Sequence, residues 1–152
     1  MLDRTIPFYN TILKCNNYTP SKIVLPHGFY FRNYQTGNEK AWAKLEYKIG
    51  DFQTLAMAEN YFLSEYCQNI HALKERCVFI LNQEDEVVGS CIAWKDNKGK
   101  QTVASLHWLI VSPEQQGKGL GKALCQKVLG IFQERNEFPV YIHTQPWSYI
   151  AI

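Results

Sequence analysis

Hydrophobic and polar positions divide the chain into short elements of two periods. "FYFRNYQ" (Phe29–Gln35) alternates and is rich in aromatic rings, which predicts a first strand. In "TGNEKAWAKLEYKIG" the period changes. Trp42, Leu45 and Ile49 share a helical face, Thr36 or Asn38 can cap its start, and Gly50 marks its end. A second helix is expected from Leu55 to Cys67, with Ala58, Tyr61, Phe62 and Glu65 in register. Three strands follow: Cys77–Asn82, Glu86–Lys95 after the turn "QED", and Gln101–Val111 after the turn "DNKGK". They read as antiparallel hairpins of growing length. A helix from Gly119 to Arg135 carries the stripe Leu120, Leu124, Val128, Ile131 and Phe132. "FPVYIHTQ" (Phe138–Gln145) closes the chain as a strand, parallel to the one before the helix through a right-handed crossover. Residues 1–26, punctuated by Pro20 and Pro26, read as an irregular arm. The predicted order is β-α-α-β-β-β-α-β. This is an α/β fold, α+β in its front half, with a mixed, mostly antiparallel sheet flanked by helices.

Composition narrows the class. A length of 152 residues, 46% of them hydrophobic, suits one domain spanning the chain. The net charge of +2 comes with no run of Lys or Arg, so nothing points to nucleic acid. No apolar stretch is long enough to span a membrane, and the N-terminus lacks a signal-peptide pattern. Cys15, Cys67, Cys77, Cys91 and Cys125 are odd in number and form no CxxC pair. That argues against structural zinc or a disulfide framework, and for reduced thiols in a cytoplasmic protein without a metal.

The segment "SPEQQGKGLGKAL" (Ser112–Leu124) sits between an apolar strand and an apolar helix. Gly117, Gly119 and Gly121 recur at alternate positions, where regular structure would not favour them. The Walker pattern fails, because Gln116 replaces its first glycine and Ala123 its hydroxyl residue. The dinucleotide pattern fails at Lys122. The pattern [QR]-x-x-G-x-[GA] is satisfied by Gln116-Gly117-Lys118-Gly119-Leu120-Gly121. Such a loop can turn backbone N–H groups toward a diphosphate at the positive end of a helix, with Lys118 and Lys122 adding charge.

With its flanking strand and helix, "LIVSPEQQGKGLGKAL" resembles the central acetyl-coenzyme A motif of the GCN5-related N-acetyltransferase (GNAT) superfamily, and the element order agrees over residues 29–145. The resemblance implies an enzyme that transfers acetyl from acetyl-CoA directly to a primary amine of a small molecule or peptide. It implies that the pantetheine arm pairs with backbone at Leu109, Ile110 and Val111, and that the pyrophosphate sits on amides from Gln116 through Gly117, Lys118, Gly119, Leu120 and Gly121 to Lys122. "LHWLIV" looks like the strand of the arylalkylamine N-acetyltransferases whose histidine is linked to proton removal, so His107 is the first candidate for the base; a packed core histidine is the other reading. Glu46 is the second candidate, with a solvated helix carboxylate as its alternative. His143 reads as a buried, hydrogen-bonded core residue.

Against the family pattern the chain reads as short at its C-terminus. "TQPWSYIAI" resembles the opening of a further helix, with Ser148 and Ala151 at family positions, and that helix and two strands are expected to be missing. An uncovered sheet edge, a partner that covers it, and a homodimer through the C-terminal strand are the resulting expectations. A non-catalytic CoA-binding or interaction module is the alternative to the enzyme.

Overall fold

The computed structural model describes residues 4–148. Ten regular elements follow in order: β1 (Thr11–Cys15), β2 (Tyr30–Asn33), α1 (Glu39–Ile49), α2 (Leu55–Glu65), α3 (Ile70–Arg76), β3 (Cys77–Leu81), β4 (Val87–Lys98), β5 (Gln101–Val111), α4 (Leu120–Glu134) and β6 (Val140–Thr144). They build one six-stranded sheet in the order β1-β6-β5-β4-β3-β2. Only β5 and β6 run parallel; every other neighbouring pair is antiparallel.

Several helix ends are capped by residues suited to the task. α1 ends at Gly50, whose φ of 95° is open to glycine, and whose N–H returns to the Glu46 and Tyr47 carbonyls. Thr54 accepts a hydrogen bond from the Met57 N–H at the start of α2, and Asn69 does the same for Ala72 at the start of α3.

β3 is buried along its whole length because both faces of the sheet are covered. Cys77, Phe79 and Leu81 face one core with Trp42, Leu45, Phe62 and Tyr66 from the α1–α2 side. Val78 and Ile80 face the other, with Leu120, Leu124, Val128 and Phe132 of α4. Trp42 is fully buried in the first core and meets the rings of Phe62, Tyr61, Phe52 and Trp108. Removing a side chain so placed costs about 3–5 kcal/mol.

Two elements are additions to the sequence expectation. The N-terminal arm is not wholly irregular, because β1 lies antiparallel along all of β6, from Thr11↔Thr144 to Cys15↔Val140. The edge expected to stand open beside β6 is therefore taken by this chain's own N-terminal strand, and a homodimer through that edge would have to displace it. The second addition is α3, a seven-residue helix between α2 and β3. β4 also runs three residues beyond Lys95. Where "TQPWSYIAI" reads as the opening of a further helix, the structure has a 3-10 turn at Pro146–Ser148; Ala151 lies outside the described residues.

Candidate active site

β5 and β6 part company early. They pair at Ala104↔Val140 and Ser105↔Tyr141, and β5 then continues through Leu106–Val111 without β6 beside it. On its other edge β5 stays paired with β4, but with a bulge: Ile110 faces Ser90 and His107 faces Ile92, so Trp108 and Leu109 together oppose Cys91. Trp108 takes up the extra residue with a φ of 52°. The extra residue resets the alternation, so that two successive side chains point to the α1–α2 side. His107 meets Tyr66 there, and Trp108 packs against Trp42, Tyr61 and Phe52. Trp108 Nε1 also donates to the Tyr61 hydroxyl at 3.3 Å. Beyond the bulge Ile110 rejoins that core, while Leu109 and Val111 pack on the α4 side.

β5 feeds directly into the glycine loop. After a 3-10 turn at Pro113–Gln115, Gly117 and Gly119 adopt φ values of 81° and 82°, a region that disfavours other L-residues. A Cβ added at either would meet nothing within 4 Å, so the space outside both is open. Leu120 anchors α4 in the core at 1% exposure, leaving only its backbone to face a ligand. Gly121 lies in the first turn, close to Val111. Lys118 Nζ donates to Gln115 Oε1 at 2.6 Å, and Lys122 is exposed. Gln116 Nε2 donates to the Val111 carbonyl at 3.1 Å. That carbonyl, expected to be available to a ligand, is thus engaged by the loop itself. Lys48 of α1 pairs with Glu114 at 2.7 Å, and the Ser112 hydroxyl donates to the same carboxylate. Lys48 first, then Ser112, hold Glu114 down to about 2.

His107 stands between two partners. Its Nδ1 lies 2.8 Å from the Tyr66 hydroxyl and its Nε2 2.8 Å from Asp96 Oδ1. Burial pushes its pKa below the ordinary value, and the Asp96 carboxylate partly opposes that shift. Burial drives the Tyr66 phenol well above the usual range, and that of Tyr61 upward. His143 Nε2 lies 3.9 Å from Asp96 Oδ2. His143 is half exposed, not the core residue expected from the sequence.

Glu46 is likewise not the solvated carboxylate that helical spacing allowed. It has no exposed surface, and neither carboxyl oxygen has a hydrogen-bond partner. Burial first, then the charge of Asp51, push it up to about 9, so it holds its proton at neutral pH. Trp42, one turn earlier on the same face, has a buried Nε1 that is also unpartnered. Glu46 and His107 are not joined by a hydrogen bond. Tyr66 and Asp96 are additions to the residues expected from sequence. The sequence places Asp96 in the turn "DNKGK", yet it keeps step with Trp94 two residues earlier on β4, and that alternation is the available signal.

A cavity of about 460 Å³ lies at the start of β5, away from the loop, between Arg76, Trp94, Gln101, Glu137, Phe138 and Tyr141. A second, of about 100 Å³, is lined by Ile12, Asp96, Lys98, Tyr141 and His143 among others. Among the described residues no group of His, Cys, Asp and Glu is arranged to hold a metal, and no helix is long and apolar enough to cross a membrane. All five cysteines are free.

The profile of the acetyltransferase (GNAT) family matches residues 39–152, most of the chain and all of the site. The chain belongs to the GNAT family. Solved structures share the GNAT fold at low identity. A GCN5-related N-acetyltransferase from Sphaerobacter thermophilus superposes with a TM-score of 0.67 at 17% identity, over 90% of this chain and 42% of that one. A GNAT-family acetyltransferase from Staphylococcus aureus gives 0.64 at 14% identity, covering 81% and 78%. A predicted acetyltransferase from Clostridium acetobutylicum, solved with acetyl-CoA, gives 0.61 at 8% identity, covering 81% and 85%. The chain spans less than half the length of the Sphaerobacter protein, and 27% of a GCN5-related N-acetyltransferase from Kribbella flavida. Comparison with curated protein sequences finds no relative.

Proposed function

We propose that this GNAT chain binds acetyl-CoA and acetylates a primary amine of a small molecule or peptide in the cytoplasm. The observation that carries the reading is the parting of β5 from β6 after Ser105, in a strand that leads straight into a loop with open space outside Gly117 and Gly119. The residues present suit a diphosphate on a flexible arm. The N–H groups of Gln116–Lys122 lie at the start of a fifteen-residue helix, with Lys118 and Lys122 exposed beside them. Leu109 and Ile110 supply backbone along the parted strand. Acetyl-CoA brings a thioester whose C–S bond breaks as the amine forms its C–N bond.

The chain's own residues have two tasks, to hold that arm and to take a proton from the amine. His107 is the group assigned to the proton, since imidazole titrates near neutral pH and its burial favours the neutral form. Glu46, which holds its proton, is suited to donating a hydrogen bond rather than accepting one.

The test is calorimetric titration of the chain with acetyl-CoA, alongside Gly119→Asn. Asparagine tolerates the left-handed backbone but puts a side chain into the open space. The expected result is binding by the parent and its loss in the variant, both folded by circular dichroism. A parent that does not bind, or a variant that binds equally well, overturns the loop assignment. A panel of amines followed by mass spectrometry for one added acetyl group then tests the transfer, and binding without transfer to any amine would leave a CoA-binding module.

A further inference from the structure

Resting on the reading above, we infer that Asp96 is the positioning residue for His107: its carboxylate holds the ring as the Nε2–H tautomer and turns the Nδ1 lone pair toward the Tyr66 hydroxyl. Three elements meet to make this arrangement, Tyr66 at the end of α2, His107 on β5 and Asp96 on β4. Each ring nitrogen has one partner, and both lie at 2.8 Å.

The chemistry of the partners selects the tautomer. A carboxylate only accepts hydrogen bonds, while a buried phenol keeps a proton to donate. Of the two neutral tautomers, only the one with hydrogen on Nε2 and a lone pair on Nδ1 satisfies both. The opposite tautomer would set the Nε2 lone pair against the Asp96 oxygen. Two further features support a designed contact rather than a surface ion pair. The His107 side chain is only 20% exposed, so its bonds are made in a poorly hydrated place. The β5 bulge at Trp108 sets which side chains of the strand reach the α1–α2 side.

Other charged or titratable groups facing the pair are few. His143 of β6 stands 3.9 Å from the second Asp96 oxygen, Glu65 and Tyr61 come from α2, and Lys98 shares the small cavity with Asp96. None is hydrogen-bonded to the His107 ring.

The assignment balances as a proton transfer. Tyr66 is 1% exposed, so the proton lost as the substrate's N–H bond breaks reaches its hydroxyl through water: an O–H bond forms on Tyr66 as the original Tyr66 proton moves to His107 Nδ1. Tyr66 is a phenol before and after, which suits a group whose phenolate is strongly disfavoured. The imidazolium then carries hydrogen on both nitrogens, and the Asp96 carboxylate opposes its charge. It returns the proton to water before the next cycle.

The test is the long-range ¹⁵N–¹H spectrum of the imidazole rings across pH, for the chain and for Asp96→Asn, with His107 assigned by its loss in His107→Gln. The chain should give the Nε2–H pattern for His107. In Asp96→Asn the pattern should become a tautomer mixture, and the titration midpoint should fall by about one pH unit, the lower end of what a nearby opposite charge supplies. Asp96→Glu, which can restore the contact, should recover both. An Nδ1–H ring in the parent, or a tautomer and midpoint unmoved by Asp96→Asn, overturns the inference. These spectra need no substrate, so they separate the two ideas: failure of acetyl transfer with the expected spectra removes the catalytic reading alone.

Discussion

Gln116 reaches back along the chain to donate from its side-chain amide to the carbonyl of Val111, the last residue of β5. One residue thereby opens the glycine loop and closes the strand before it. Gln116→Ala should leave the fold standing, since the side chain is exposed, but release the geometry that joins strand to loop. Affinity for acetyl-CoA should fall about five- to tenfold, the effect of about one hydrogen bond, with little change in Tm. Calorimetry and thermal denaturation together check this.

Glu46 predicts an unusual pH dependence of stability. Its carboxyl has an ordinary value of 4.5 and is raised to about 9 in the fold. Its favourable contribution is therefore complete below 4.5, declines as pH rises, and is gone once pH passes the folded value. Glu46→Gln keeps the shape and removes the titration. The variant should match the parent near pH 4.5 and exceed it in Tm by at least about 2–4 °C at pH 8, the shift expected for roughly 1 kcal/mol in a domain this size. Melting curves from pH 5 to 9 are the measurement, and parallel curves would show that Glu46 does not titrate in this range.

His107 acts in the opposite window. Burial, partly opposed by Asp96, lowers its folded pKa from the ordinary 6.5. The unfolded chain takes up a proton first as pH falls, so stability is present above 6.5 and is lost on the way down to the folded pKa. His107→Gln should flatten that acidic limb. Denaturant unfolding at pH 5, 6 and 7.5 would reveal it as a smaller difference between the three midpoints.

The pairing of β1 with β6 predicts the oligomeric behaviour of a shortened chain. Removing residues 1–16 should bare the outer edge of β6, whose backbone groups would then lack partners. Light scattering should find the shortened chain more associated and less stable than the parent, and an unchanged size with unchanged Tm would mean that β1 adds nothing to the edge.

The parts legible in the sequence were those with local signals. β5 was found with its observed ends because eleven residues of β-forming sequence lie between a Gly-containing turn and a Ser-Pro. α4 was found from five apolar residues on one face after a glycine loop. α3 was missed because seven residues with one buried position, Leu73, give almost no periodic signal and no Gly or Pro separates it from β3. β1 was missed for a different reason. Its "TILKC" leaves Ile12 half exposed beside a half-buried Leu13, so its own pattern does not state which face is inward. At the candidate site, the strand pattern singles out His107 as a candidate, but it does not reveal the partners the structure gives that ring. Tyr66 and Asp96 reach it from a helix end and a neighbouring strand, and the bulge at Trp108 that resets the alternation has no local marker such as glycine.

The same β1 ladder sets an order on assembly. Thr11 finds Thr144 only after about a hundred and thirty intervening residues have been made, and loops of that length close slowly and late. During synthesis the first strand therefore waits without its neighbour while β2–β5 and their helices can already condense. β1 and β6 then meet as the final seam of the sheet. A fault in either strand would leave a nearly finished domain with a sticky margin, so this strand pair governs whether newly made chains escape clumping.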